Sequence, residues 1–385
     1  MEHILRCFGD IYNVSVVRGE GCYVYDDQGN KYVDFEAGVW SAALGHSHPG
    51  VNETLYKQVD QIMHLGYRYQ NPIVEEAARM LLEAVNFDSG KCIFLSSGSE
   101  AVEFAVQITR RITKRPLLLT LSGAYLGAFG SAGKRDAEEW HVFDWSKCHT
   151  CSTTGCRPDC KLMADLPFDQ IGGFVMEAGS NWVRMPPKHL IQTLESRVKE
   201  EGGLIVANEI TTGLGRTGSW FGYEHYCLQP DIVAVGKHLG NGYPVSAVVM
   251  KEHSGLYLEG DSFRYAQSHQ NDALGCAVVT TVVRTLGEVG LVQRSKEVGQ
   301  IFKEKLIELQ HQHKCIKEVR GLGLMLAIEL QHCELSAIHR ELFSKGYLVG
   351  ISALANLLRF FPPLTISIED IDGMINALGA VLSSR

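Results

Sequence analysis

Four groups of residues in this chain could do chemistry. The first lies at the ends of two apolar runs, Leu204 to Ala207 and Ile232 to Val235. Each run is too short for an ordinary helix and rich in β-branched residues, so each reads as a buried parallel strand. Asn208 and Glu209 follow the first run, and Lys237 follows the second, between Gly236 and the turn Gly240-Asn241-Gly242. Ligands of open α/β sheets sit at the carboxyl ends of the strands, so an amide, a carboxylate and a lysine share one rim. A lysine partly withdrawn from water there has a lowered pKa and can attack a carbonyl as a free amine. Taken alone, a lysine after a strand is more often a solvated loop residue.

The second group is Ser96-Ser97-Gly98-Ser99, between a strand ending at Leu95 and a helix with apolar Ala101, Phe104, Ala105 and Ile108. Small residues at such a turn let backbone N–H groups and hydroxyls approach a phosphate, which the helix dipole favours. The same residues also suit a plain capped helix start, with Ser97 or Ser99 as cap and Glu100 in the first turn. Arg359, in the apolar string LLRFFPPL, is the third. Its planar fork fits a carboxylate, from a substrate or from an internal ion pair. Cys148, Cys151, Cys156 and Cys160, spaced C-x2-C-x4-C-x3-C, are the fourth. The spacing is compatible with a tetrahedral zinc or an iron-sulfur site, and also with a reduced Cys-rich loop, a disulfide or a redox role. A four-thiolate zinc would be closed and would fold this segment, not catalyse. His46-x-His48 lacks a third ligand at useful spacing and reads as a loop before a helix.

The elements that must position these groups alternate between strands and helices. With 385 residues the chain exceeds one ordinary core, so two domains are expected. The residues CYVYD and KYVDF, with Gly-rich turns beside them, predict an antiparallel hairpin near the N-terminus. Helical stretches such as EVGQIFKEKLIELQHQ and strands GLMLAIEL and LVGISA then predict an α+β C-terminal region. The formal charge of −8 argues against nonspecific nucleic-acid binding. No apolar run approaches a membrane span, and no secretory signal opens the chain. Eleven scattered cysteines without such a signal suit a reduced, cytoplasmic setting.

The run LIVANEITTGLGRTG…DIVAVGKHLGNGYPVSAV, with SGSEA upstream and LRFFPPL downstream, resembles the class III aminotransferases. These are fold type I, pyridoxal-phosphate-dependent enzymes of the ornithine, acetylornithine and ω-amino acid group. The resemblance covers residues 10–383 apart from a Cys-rich insertion at 144–166. It implies an α/β large cofactor-binding domain with a mostly parallel sheet (41–285), a smaller α+β C-terminal domain (286–385), and an N-terminal segment (1–40) packed on the latter. It implies that Lys237 holds pyridoxal 5'-phosphate as a Schiff base and moves the substrate proton. Gly98 and Ser99 would then cradle the phosphate, Tyr125 would stack on the ring, and Ile210 would press on one ring face. Thr211 would reach the phenolic oxygen, and Asn208 would lie at the pyridine nitrogen. Ser268 would cross a homodimer interface to the partner's cofactor phosphate. Arg359 would bind the substrate carboxylate, and Trp182 would stand where ornithine-type enzymes carry a gating glutamate.

Several positions depart from the family pattern. Leu126 replaces a histidine, Ala128 an arginine, Ala178 a proline, and Asn208 the acidic residue that keeps the ring nitrogen protonated. A neutral amide there weakens the electron sink. The expected function is amino transfer from an amine or amino acid to a keto acid. The alternatives are a racemase, epimerase or aminomutase using the same lysine, or a catalytically silent cofactor- and metal-binding sensor.

Overall fold

The computed structural model describes residues 3–5, 7, 14–149, 151, 155–156, 160–179 and 182–384. Its centre is a seven-stranded sheet in the order Gly90–Leu95, Ser246–Lys251, Ile232–Val235, Leu204–Glu209, Ile171–Glu177, Leu117–Leu121, Trp140–Phe143. Strand Ser246–Lys251 runs antiparallel to both neighbours, and the other pairings are parallel. The two apolar runs at the heart of the sequence are adjacent parallel strands, with Val206 opposite Ile232 and Asn208 opposite Ala234.

Both faces of this sheet are covered, which explains why its strands are apolar throughout and do not alternate. Val206, Ala234 and Val248 pack with Phe104 and Ile108 of helix Gly98–Thr113 on one face. Ile205, Ala207, Val233 and Val249 join the other cluster, with Leu194 and Val198 of helix Lys188–Glu200 and Val278 and Val282 of helix Ala273–Glu288. Among the described residues no single helix is long and apolar enough to cross a membrane.

Two four-stranded sheets complete the fold. One joins strands Val16–Glu20, Tyr23–Asp26 and Lys31–Asp34 to Tyr347–Leu348. The N-terminal hairpin thus docks on the C-terminal region through a parallel pairing of Lys31–Asp34 with Tyr347–Leu348. The other sheet is antiparallel, in the order Ile316–Leu322, Met325–Leu330, Leu357–Phe360, Gly350–Ser352.

Local boundaries differ from the sequence reading in two places. LVGISA is two strands in two sheets, not one. The chain changes sheet at buried Val349, whose carbonyl accepts a hydrogen bond from His339 Nε2 at 3.0 Å. Asn208 and Glu209 belong to their strand and do not follow it. Helix Ala273–Glu288 is capped by the Asp272 side chain, which accepts from Gly275 N at 3.0 Å.

Candidate active site

The register of the central sheet sets the geometry of the rim. Glu177 lies opposite Asn208 and Glu209 opposite Val235, so the chain leaves the last of these strands at Gly236 and Lys237 level with both acidic side chains. Lys237 sits in a short 3-10 turn, Lys237–Gly240, with φ 45°. A non-glycine residue in this left-handed region is strained and persists only where the surroundings fix it. Its Nζ donates to Thr211 Oγ1 at 2.5 Å and stands 4.6 Å from the centre of the Trp40 ring. Loss of water around the amine, with the nearby positive Arg216 and Arg359, outweighs the pull of Glu177 and lowers its pKa from 10.5 to about 8. The nucleophilic character expected from sequence therefore has a physical basis.

Several groups around the lysine are pinned in place. Buried Glu209 accepts from Gly222 N at 2.7 Å, Tyr223 N at 2.9 Å and Thr212 Oγ1 at 2.8 Å. Burial still raises its pKa to about 7. It braces the loop after the strand. Arg216, from the GRTG string, is wholly buried. It donates to Leu324 O at 2.8 Å and Pro362 O at 2.6 Å, and its Nη2 lies 2.8 Å from His238 Nε2. Burial first, then the adjacent guanidinium, drives the His238 pKa down, so this imidazole is neutral and accepts from the arginine. Asp231 accepts from Ile205 N at 2.9 Å and pairs with Lys251 at 3.3 Å, tying the two central strands together.

Asn208 is also fixed. Its Nδ2 donates to Tyr125 O at 3.0 Å and its Oδ1 accepts from Ile210 N at 3.3 Å. The loop bearing Tyr125 is thereby fastened to the rim, with the Tyr125 ring 52% exposed and Leu126 buried. Gly98 begins helix Gly98–Thr113, with Ser97 as the cap, its Oγ accepting from Glu100 N at 3.2 Å. A Cβ at Gly98 would come within 2.5 Å of Ile210 Cγ2, and one at Gly236 within 3.1 Å of Ile210 Cδ1. The helix start, Ile210 and the approach to Lys237 therefore meet in one small space. Ser99 Oγ accepts from Ala128 N at 3.0 Å.

The opposite wall is apolar. Trp40 stacks obliquely on Phe361, with ring centres 4.9 Å apart, and packs with Val183, Met325, Ala327 and Met185. Trp182 lies against Gly123, where a Cβ would meet its ring at 2.7 Å. Arg359, on strand Leu357–Phe360, has its guanidinium carbon 4.8 Å from the Trp40 ring centre and donates to Ile351 O at 2.8 Å. Trp40 thus has both cations over its ring, the lysine at 4.6 Å and the arginine at 4.8 Å from its centre. Sequence reasoning missed it, along with Arg216 and His238. Its signal was a bulky aromatic in the Gly-rich string AGVWSAALGHSHP, and that of Arg216 was a charged residue in an otherwise small-residue turn.

Two expectations fare differently. Ser268 is exposed. The four cysteines do not form a tetrahedral centre. Among the described residues, the one group of three ligating atoms within 4.8 Å of one another is His64, His269 and Asp272. Cys148, Cys156 and Cys160 pack against the main hydrophobic cluster while Cys151 is exposed. Burial, reinforced by the neighbouring thiols of Cys156, Cys160 and Cys151, pushes the Cys148 thiol up to about 11. His46 is likewise structural, with Nε2 2.8 Å from Asp34 Oδ2. A cavity of about 690 Å³ beside Asn86, Cys227, Pro230 and Lys251 lies at the opposite edge of the sheet and involves none of the rim residues.

The sequence matches the family described as aminotransferase class-III over residues 9–132 and 152–382. It is 33% identical to an acetylornithine aminotransferase of Caldanaerobacter subterraneus, covering 97% of this chain and 95% of that one. It is 31% identical to an acetylornithine aminotransferase of Aquifex aeolicus over 96% of this chain and 97% of that one. The fold superposes on an S-selective transaminase from Bacillus megaterium with a TM-score of 0.90 at 25% identity, covering 100% of this chain and 96% of the other. By this extent of match the chain belongs to the class-III aminotransferase family.

Proposed function

We propose that this pyridoxal-phosphate-dependent aminotransferase carries out its chemistry at Lys237 and binds the carboxylate of its acceptor at Arg359. The observation that carries the reading is the desolvated Lys237 amine, held by Thr211 at 2.5 Å and facing Trp40 on the carboxyl rim of a parallel sheet. The residues present fit the cofactor. The helix start at Gly98 and Ser99 offers N–H groups and a hydroxyl to a phosphate, and Ile210, packed close against Gly98 and Gly236, would offer an apolar face to a flat ring. Bound pyridoxal phosphate supplies a carbonyl that takes up an amine and a ring that accepts electrons.

The chain's own groups then divide the work. Lys237, with a pKa near neutrality, is released as a free amine and moves the proton between substrate carbon and cofactor. Thr211 keeps its Nζ directed, and the Arg216–His238 pair keeps the turn that carries it from relaxing. Tyr125 and Ile210 hold the ring between them. Asn208 spends one Nδ2 hydrogen on Tyr125 O and retains a second for the ring nitrogen. An amide that donates there favours an unprotonated nitrogen, whereas a carboxylate would favour a protonated one.

In this reading Trp40, backed by buried Phe361, and Trp182, near buried Leu126, form the pocket walls. They suit an amino donor with an apolar side chain better than one with a second carboxylate. A homodimer is part of this reading. Exposed Ser268 lies beside an exposed apolar stretch, Tyr56, Val59, Met63, Leu65 and Tyr67, which adjoins it through stacking of His64 on His269 at 4.5 Å. The test is a screen of amine donors followed in the cofactor's visible absorbance. Amine-driven bleaching reversed by a keto acid is expected. Exchange of the substrate Cα hydrogen with solvent, without bleaching, would instead indicate a racemase.

A further inference from the structure

A cluster of ligating side chains lies outside the pocket, where helix Ala273–Glu288 begins. One ligating atom each from His64, His269 and Asp272 falls within 4.8 Å of the other two. His64 Nδ1 is 3.1 Å from Asp272 Oδ1. Two ligands of one tetrahedral ion, each about 2.0–2.1 Å from it, stand roughly 3.3 Å apart, so this pair can share a cation with almost no movement. The His269 ring, 4.5 Å from that of His64 and tilted by 42°, is the part that must turn, and it is exposed. A proton between His64 and Asp272 serves one ring, whereas a divalent cation engages both rings and the carboxylate.

The frame around these ligands is fixed, and outer partners of this kind orient metal ligands. Asp272 Oδ2 accepts from Gly275 N at 3.0 Å and from Tyr243 OH at 3.3 Å, which leaves Oδ1 for the histidine. The preceding residue, Asn271, is left-handed with φ 56° and is clamped to strand Gly90–Leu95 in both directions. Its N donates to Phe94 O and its Oδ1 accepts from Phe94 N, each at 2.9 Å. His269 N donates to Gln267 Oε1 at 2.7 Å. His64 follows helix Pro49–Gln61, which is fastened to helix Ala273–Glu288 through the Thr54 and Thr281 hydroxyls, 2.7 Å apart. Ligands from two distant stretches of chain therefore meet on a hydrogen-bonded frame. A cavity of about 210 Å³, which His269, Asp272, Tyr243 and Ser96 help to line, gives room for water beside them.

We infer that His64, His269 and Asp272 form a binding site for a divalent transition cation of the zinc type. Two imidazoles and one carboxylate suit zinc, cobalt or nickel, while magnesium and calcium prefer shells of oxygen alone. Three protein ligands leave a coordination position open, and water from the adjoining cavity fills it. The ion ties His64 to the segment that carries Ser268. The site itself depends neither on the aminotransferase reading nor on the homodimer; only its consequence does, which is to hold Ser268 in place at the subunit face.

The test is calorimetric titration of the whole, cofactor-loaded chain with zinc chloride after metal has been stripped with a chelator. One equivalent of zinc that depends on both histidines is expected. His269→Ala and His64→Ala each weaken its binding at least about tenfold, since loss of a direct ligand costs no less than loss of an outer partner. Zinc also raises the melting temperature of the unaltered protein and not that of the variants. If His269→Ala does not fold, His64→Ala is the measurement. Absence of zinc binding by the unaltered protein overturns the inference. So does zinc held with unchanged affinity in the histidine variants, which would place the ion elsewhere, as on the thiols of Cys148 and its neighbours.

Discussion

The two sides of the pocket are built on opposite plans. On the lysine side the buried charged groups have several partners each: Glu209 three donors, Arg216 two carbonyls and His238 although its Nε has none, Asp231 a strand N–H and Lys251. On the arginine side, Arg359 makes a single hydrogen bond, to Ile351 O, and lies over Trp40, the last of four successive left-handed residues, Ala37 to Trp40. A satisfied network fixes a single geometry, which suits a proton transfer whose distances must not vary. A side with spare hydrogen-bonding capacity can receive ligands of different charge. The comparison teaches that the two proposed anchors belong to different sheets, Lys237 following a strand of the central sheet and Arg359 lying on the C-terminal one.

The largest expected effect comes from breaking the lysine side at its centre. Lys237→Ala should lower turnover by at least about 10⁴-fold, measured as single-turnover bleaching of the cofactor by an amine. Next is its support. Arg216→Ala leaves two carbonyls and His238 without their donor and should cost about 3–5 kcal/mol in urea unfolding. Asn208→Asp sharpens the contrast in a different way. A carboxylate accepts from a protonated ring nitrogen, so proton removal from the substrate should quicken about tenfold, read as exchange of its Cα hydrogen in deuterated solvent. The same change loses the bond to Tyr125 O, so cofactor affinity should fall slightly.

A smaller effect is a pH midpoint. The neutral amine is the nucleophile, and its fraction rises with pH, so reloading of cofactor-free enzyme should accelerate with pH and level off above about 8. A solvated lysine would keep gaining up to about 10.4. Smallest of all is a change outside both sides: Cys148→Ser should shift the melting temperature by only about 2–4 °C, because this thiol is only partly buried against the core.

Much of the lysine side was legible in the sequence, because its signals are local. Short β-branched runs, a glycine on each side of the lysine turn and a capped helix start at Ser97 each follow from neighbouring residues, and the sheet places them together as expected. The arginine side was less legible. Arg359 could be seen as an arginine needing an anion, but its relation to Trp40 joins residues over three hundred positions apart, through a left-handed turn that no local propensity favours. The division of LVGISA between two sheets was hidden for the same reason, since alternation along a strand does not tell which neighbour it will pair with. The cysteine spacing suggested local convergence, and the fold brings Cys151, Cys156 and Cys160 near enough to Cys148 to raise its pKa while three of the four pack against the core.

The most direct test of the central claim is to load the enzyme with pyridoxal phosphate, reduce it with borohydride, digest it and locate the modified lysine by mass spectrometry. The account predicts that the label lies on the peptide containing Lys237 and is lost in Lys237→Ala. A label on any other lysine, or none, would contradict it.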